Sequence, residues 1–257
     1  EEDFVMLDDM VSNSIWMELN EAGYPCSVKN MENLIYSDFS FSYHPIREYI
    51  NHLPQWDGID HIGRLAESVH TIPAQREFWL KGFRHFLVGM VAAATQEEIV
   101  NHLCLLLCSK QNLGKTTFIN KILSNDLRTD YLSTGIISAG NKDDLSRMAE
   151  FMLINFDEFE GMTGHELSLL KDLITRKFIS IRLPYARHTL NLPHWASFAG
   201  TCNYPQVLYD PTGNRRFLCY EIEKIDRYEI DYPQLYAQIK HLLDTGYRYW
   251  FEADEND

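Results

Sequence analysis

The chain has 257 residues, a net charge of −14 and a 45% hydrophobic composition. That is enough for one large domain, or for one domain with a helical appendage. No apolar run approaches the roughly 20 residues that span a bilayer. The acidic start also lacks the basic flank and apolar centre of a signal peptide. We therefore expect no membrane partner and a cytoplasmic location. The first residue is not Met, so we expect a piece of a longer protein.

The five cysteines form no C-x-x-C pair, and the ten histidines show no zinc-ligand spacing. An odd number of mostly strand-embedded cysteines predicts reduced thiols. Acidic residues dominate both ends of the chain, which argues against a general nucleic-acid coat. The segment from 171 to 190 is the exception, because cations prevail there.

The first part of the chain is predicted to be mainly helical. Helical spacing of apolar residues is found over 10–22, 45–53 and 75–97, the last as one or two helices. Asp60 follows a turn and is a candidate N-cap for a further helix. We assign residues 1–98 to a mainly helical N-terminal region.

Apolar runs alternate with helical segments from about residue 99 onward. The runs HLCLLLCS, FMLINFDE, WASFAGTCN and RFLCYEI have the length and continuity of buried strands. Strands that alternate with helices predict an α/β core with a central, mainly parallel sheet over residues 99–225. A β-hairpin inserted at about 176–192 is expected to project from it. Residues 226–257 are predicted to form a C-terminal helix and an acidic tail.

The sequence CSKQNLGKTTF matches the phosphate-loop pattern G-x-x-x-x-G-K-[ST] except that Ser109 replaces the first glycine. A strand precedes it and a helix follows, as such a loop requires. Lys115 can reach the β- and γ-phosphates of a nucleotide, and the Thr116 hydroxyl can ligate Mg²⁺. Gly114 lets the backbone pass close to the phosphate. The predicted nucleotide-binding residues are Ser109, Gln111, Asn112, Leu113, Gly114, Lys115, Thr116 and Thr117. The alternative is a Lys-Thr helix start after an ordinary tight loop.

Polar residues end two further strands that we expect at the same edge of the sheet. Asp157 can hold Mg²⁺, and Glu158 can deprotonate an attacking water, which indicates hydrolysis. The alternative is that these two acids only cap a helix. Asn203 can sense the γ-phosphate or the attacking water, unless it serves only a turn. Arg215 and Arg216 are candidates for an arginine finger that reaches a neighbouring subunit, or are surface cations paired with acids.

These motifs resemble the virulence-associated protein E family, whose ATPase core is similar to superfamily 3 helicases. The likeness spans about residues 43–223 and rests on PIREYINHLPQWDGIDHI, QNLGKTTF, INFDEFEG, LKDLITRKFISIRLPYAR and GTCNYPQVLYDPTGNRRF. It implies a P-loop NTPase core of the AAA-like type, the type with an additional strand and a catalytic glutamate. It also implies ATP with Mg²⁺, a hexameric or similar ring, and a possible primase or other domain in the full-length protein. Among the finger candidates, the resemblance favours Arg216.

The resemblance gives the basic segment a function as well. In superfamily 3 helicases, the hairpin between the strand that ends in the acids and the strand that ends in Asn lines the central pore. Here its cations would track a nucleic-acid backbone. The candidates are Arg176, Lys177, Arg182 and Arg187. The alternatives are a solvated strand pair, structural arginines, or arginines that reach the nucleotide.

Three functions fit these residues. The first is an ATP-driven motor that acts on single-stranded or forked DNA in phage or mobile-element replication. The second is a nucleotide-controlled switch or assembly ATPase without translocation, for example in defence or partner recognition. The third is a small-molecule P-loop kinase, which would not need Glu158, Asn203 or the twin arginines.

Overall fold

The computed structural model of the chain describes residues 7–40, 43–135, 141–181, 189–204 and 216–252. The chain divides into two compact units, residues 1–45 and 46–257. The first unit contains α1 (Asp9–Glu21) and α2 (Val28–Ile35). Asp8 and Ser27 cap these helices, because each side chain accepts a hydrogen bond from a backbone N–H of the first turn.

The other described elements belong to the second unit, except that the first of them begins one residue earlier, at Pro45. Its helices are α3 (Pro45–Asn51), α4 (His61–Glu67), α5 (Arg76–Thr95), α6 (Lys115–Asn120), α7 (Asn125–Tyr131), α8 (Lys142–Glu150), α9 (Gly164–Leu173) and α10 (Tyr232–Asp244). Its strands are β1 (Val69–Thr71), β2 (Cys104–Cys108), β3 (Leu132–Thr134), β4 (Leu153–Phe156), β5 (Phe178–Ile181), β6 (Leu190–Pro193), β7 (Ser197–Cys202) and β8 (Phe217–Ile225). Short 3-10 helices cover Pro73–Gln75 and Phe159–Gly161.

Six strands form the central sheet in the order β1-β8-β2-β7-β4-β3. Only β1 runs antiparallel to its neighbour, and the other pairs are parallel. The predicted α/β fold with a mainly parallel sheet is therefore confirmed. In this order β7 lies between β2 and β4, so three strands that are each followed by a polar residue are adjacent.

Helices cover both faces of this sheet, which explains why β2, β4 and β7 are buried along their whole length. One core joins α4, α5, α6 and α10 to one face, and its largest fully buried side chains include Trp79, Phe83 and Tyr220. The other core joins α8, α9 and β5 to the opposite face through residues such as Leu170 and Phe198.

One element of the second unit was not predicted from the sequence. β1 lies within the region predicted to be mainly helical, and it extends the sheet through pairing with β8. β5 pairs antiparallel with β6 within the predicted hairpin. Its alternating pattern places Ile179 and Ile181 in the core, where they are 2% and 4% exposed.

Candidate functional site

The phosphate-loop motif connects β2 to α6 at the carboxyl edge of the sheet. Ser109 follows β2 directly and has a negative φ, so a serine fits the turn in which the usual motif has glycine. Gly114 precedes α6 with φ 79°, and Asn112 has φ 67°. The left-handed region suits glycine and tolerates asparagine, which explains these two residue types.

The loop leaves a row of backbone donors without acceptors. Phe118 N–H bonds to the Gly114 carbonyl at 2.9 Å. The N–H groups of the four residues from Gly114 to Thr117 have no acceptor among the described residues. Successive N–H groups of this kind form an anion-binding concavity.

Lys115 lies beneath this loop and is only 7% exposed. Its Nζ donates to the Ser109 carbonyl at 2.8 Å, to Ser109 Oγ at 2.9 Å and to the Lys110 carbonyl at 3.0 Å. Burial lowers the pKa of the Lys115 ammonium, and the negative charge of Glu160 raises it. The serine that departs from the motif thus helps to hold the motif's lysine.

Thr116 connects the loop to the next acidic strand end. Its Oγ1 donates to Asp157 Oδ1 at 2.9 Å, across 41 residues of sequence. Asp157 and Glu158 follow β4 directly, and Glu158 takes a left-handed conformation with φ 57°. The register of β4 and β2 with β7 brings both strand ends to one edge.

A cavity of about 500 Å³ joins these groups. It is lined by Gln111, Asn112, Leu113, Gly114, Lys115, Thr116, Thr117, Asp157, Glu158, Thr201 and Asn203. The structure thus brings together every predicted nucleotide-binding residue except Ser109, which lies behind Lys115. The predicted acids and Asn203 share the same cavity.

Glu160 belongs to this site, although the sequence reasoning did not select it. Its Oε1 accepts hydrogen bonds from the backbone N–H and the side-chain Nδ2 of Asn203. Its Oε2 is buried and has no hydrogen-bond partner among the described residues. The third acid in the motif DEFEG was the available signal.

The cysteine prediction is wrong for two residues at the same edge. Cys108 and Cys202 form a disulfide, with a Cα–Cα distance of 4.7 Å. They are paired in register at the ends of the neighbouring strands β2 and β7. Their sequence separation of 94 concealed this proximity. Cys26, Cys104 and Cys219 have free thiols.

The remaining predicted site residues that the structure describes lie away from this cavity. Arg216 precedes β8 at the amino edge of the sheet, and it lines a separate cavity that includes Glu98 and Trp250. Arg176 pairs with Asp172 in the described structure. Lys177 pairs with Glu98, with 3.5 Å between Nζ and Oε2. Arg182, Arg187 and Arg215 lie outside the described residues.

These elements define a class of protein: a mixed α/β protein whose mostly parallel sheet carries a phosphate-loop motif and two acids at one edge. The chain belongs to the virulence-associated protein E-like domain family, whose model matches residues 50–257. The resemblance noted from the sequence motifs is thereby confirmed. No curated protein matches the chain.

Among solved structures, an apo form (A form) of the C-terminal region of NrS-1 matches with a TM-score of 0.50 and 13% identity. The match covers 84% of this chain and 49% of that one. Another apo structure of the same region has a TM-score of 0.49 and 15% identity, with 84% and 50% covered. The chain therefore spans about half the length of these structures. In the described part of the chain, no helix is long and apolar enough to cross a membrane.

Proposed function

We propose that the chain is an ATP-hydrolysing P-loop enzyme of the AAA-like type with a replication-associated function. The hydrogen bond between Thr116 and Asp157 is the main support. It joins a Lys-Thr loop to an acidic strand end, and Asn203 directly follows the intervening strand β7. An ordinary tight loop would not need a buried lysine, N–H groups without acceptors among the described residues, and two acids in one cavity.

The oxygens present suit Mg²⁺. Thr116 Oγ1 and Asp157 Oδ1 are hard ligands, and Mg²⁺ is usually held by a few such groups together with water and phosphate oxygens. When bound, the ion neutralises charge on the phosphates. In that state the two side chains would exchange their mutual hydrogen bond for the ion.

Glu158 is the residue to which we assign the general base. It has a left-handed backbone conformation directly after β4, and it lines the same cavity as Lys115 and Thr116. A carboxylate there can take a proton from a water that attacks the terminal phosphate. Asn203 lies in the same cavity, and the carboxylate of Glu160 fixes its amide, which suits a group that senses that phosphate.

Arg216 can act only on a neighbouring copy. It lies at the amino end of β8, whereas the phosphate loop starts at the carboxyl end of β2, and the strands are parallel. A five-residue strand separates the two edges by about 13 Å. An arginine finger at this position would therefore complete the site of another subunit, which supports an oligomer such as the proposed ring.

A mixing experiment tests that assignment. Lys115→Met removes the loop lysine and Arg216→Ala removes the finger, so each variant alone should hydrolyse ATP poorly. Mixed oligomers would contain sites with both residues intact, and activity should reappear on mixing. If activity stays absent in mixtures that demonstrably co-assemble, Arg216 does not act between subunits.

Two candidate functions differ in the process that ATP hydrolysis drives. A DNA motor follows from the family resemblance and the basic hairpin. The ion pairs of Arg176 with Asp172 and of Lys177 with Glu98 favour instead a nucleotide-controlled switch, because these cations already have partners. Exposed ion pairs of this kind are worth only about 0–1 kcal/mol, so phosphate groups can displace them. We therefore place the motor first.

The deciding experiment measures ATP hydrolysis against protein concentration, with and without single-stranded DNA. A steep rise with concentration and stimulation by DNA are expected for a motor with shared sites. Slow turnover that depends on neither protein concentration nor single-stranded DNA supports the switch. Transfer of phosphate to a small molecule instead of water would favour a kinase.

A further inference from the structure

Two side-chain hydrogen bonds join helix α6 to strand β4 and to the residue that follows it. The first is the bond from Thr116 to Asp157 in the phosphate-loop cavity. In the second, Asn155 Nδ2 donates to Asn120 Oδ1 at 2.8 Å. Neither asparagine lines that cavity, and no role assigned so far involves them.

The two hydrogen bonds have matching spacings along the helix and along the strand. Thr116 and Asn120 are four residues apart on one face of α6, which is about 6 Å along a helix axis. Asn155 and Asp157 are two residues apart, which is about 6.6 Å along an extended chain. Because these spacings nearly agree, both bonds form together in one register of α6 on β4. A shift of one residue would turn α6 by about 100° and break both bonds.

Helix α6 is too short to hold this orientation by itself. It has six residues, and an isolated helix of that length is not stable in water. Phe118 and Ile119 bury it in the core, and Arg128 Nε donates to the Asn120 carbonyl at 2.9 Å, which anchors its carboxyl end. Apolar packing is not directional, whereas a hydrogen bond is. The bond between the asparagines therefore adds the contact that fixes the rotation of α6 relative to β4.

Packing does not explain why an asparagine stands in the middle of β4. Asn155 is 0% exposed, and its Oδ1 has no hydrogen-bond partner among the described residues. A buried polar atom without a partner costs stability, so an apolar side chain at this position would give a more stable strand. The contact that requires an amide here is the hydrogen bond to α6.

We propose that Asn120 and Asn155 are positioning residues for the Mg²⁺ site of the proposed ATPase, an inference that rests on the proposed function. Thr116 and Asp157 can ligate the ion only by giving up their mutual hydrogen bond, which then no longer holds α6 against β4. The bond between the asparagines lies one helical turn away and stays intact. It keeps Thr116 Oγ1 and Asp157 Oδ1 in register with each other.

The test separates ATP binding with the ion from ATP binding without it. ATP is titrated calorimetrically into each protein with Mg²⁺ and again with EDTA. Asn120→Ala should weaken ATP binding with Mg²⁺ about 10- to 100-fold, the usual cost of losing a residue that orients a metal ligand. With EDTA its affinity should equal that of the wild type. Asn120→Asp keeps an acceptor oxygen for Asn155, so both affinities should return to the wild-type values.

Two further variants separate positioning from a loss of stability. The double variant Asn120→Leu with Asn155→Leu replaces both partners by apolar groups of similar size, which is nearly neutral for folding. It should fold and show the same loss with Mg²⁺. Asn101→Ala removes three hydrogen bonds of a buried asparagine that precedes the amino end of β2. This variant should lower the Tm and leave the effect of Mg²⁺ on ATP affinity unchanged.

Equal weakening with Mg²⁺ and with EDTA in the folded double variant would overturn the assignment. Unchanged affinity in both conditions would overturn it as well, as would an equal loss in Asn101→Ala. If the wild type binds ATP in neither condition, the proposed function fails too. If Mg²⁺ strengthens ATP binding equally in the wild type and in every variant, only the positioning role fails.

Discussion

Lys115→Met is the sharpest perturbation of the proposed phosphate site. Methionine keeps the length and the apolar stem of the side chain and removes the ammonium group. In the described structure this ammonium makes three hydrogen bonds to Ser109 and Lys110, all between 2.8 and 3.0 Å. To bind the Lys115 ammonium group, phosphate oxygens must therefore displace acceptors to which it is already hydrogen-bonded.

This exchange of hydrogen-bond acceptors determines how much the substitution weakens ATP binding. A hydrogen bond to a charged group contributes about 1.5–3 kcal/mol, and phosphate oxygens are stronger acceptors than the carbonyls they replace. If one such bond is the net gain, Lys115→Met should weaken binding of ATP with Mg²⁺ about 10- to 150-fold. Calorimetric titration measures this directly, and a thermal melt checks that the variant is folded.

Lys110→Met is the matched control. It removes the same charge from the same loop, but the Lys110 side chain is exposed and only its carbonyl takes part in the contacts described. ATP affinity should change little in this variant. Equal affinity of Lys115→Met and the wild type would refute the reasoning, as would equal weakening by both substitutions, which would indicate only a long-range charge effect.

Three further predictions concern the frame of the site. Gly114→Ala forces a side chain into the left-handed region at φ 79° and should cost about 1–2 kcal/mol, visible as a lower Tm; an unchanged Tm would contradict this. Glu160→Ala and Asn203→Ala should each slow ATP hydrolysis, and the double variant should be no slower than the worse single one, because the carboxylate fixes the amide. Additive losses in a double-mutant cycle would show independent actions. His194 donates from Nδ1 to the Arg176 carbonyl, and burial lowers its pKa to about 4. Between pH 4 and 6.5 the unfolded histidine binds a proton that the folded one does not, so acidification should destabilise the fold by up to about 3 kcal/mol. Urea unfolding across this window should lose that pH dependence in His194→Asn, and an equal slope in both proteins would exclude His194 as its source.

The sequence predicted the centre of the sheet well because its strands are buried on both faces. The runs around Leu105, Ile154 and Phe198 are continuously apolar, and the polar residues that follow them meet at one edge by the geometry of parallel strands. The position of the motif CSKQNLGKTTF between a strand and a helix was predictable for another reason, because the order of strand, loop and helix is local in sequence.

The features that the sequence did not predict depend on contacts between distant segments. The three-residue strand β1 forms only because β8 extends past the start of the phosphate-loop motif. The last residues of β8 then pair with β1. The Cys108–Cys202 disulfide depends on strand register, and Glu160 is recognisable only through its hydrogen bonds to Asn203.

The most direct test of the central claim is Mg²⁺-dependent release of phosphate from ATP by the wild type and by Glu158→Gln. This substitution keeps the size of the side chain and removes the base. We predict steady hydrolysis by the wild type, unchanged ATP affinity in the variant, and release about 10²- to 10⁴-fold slower. If the wild type releases no phosphate at any protein concentration, or the variant matches it, the chain does not hydrolyse ATP in the way proposed.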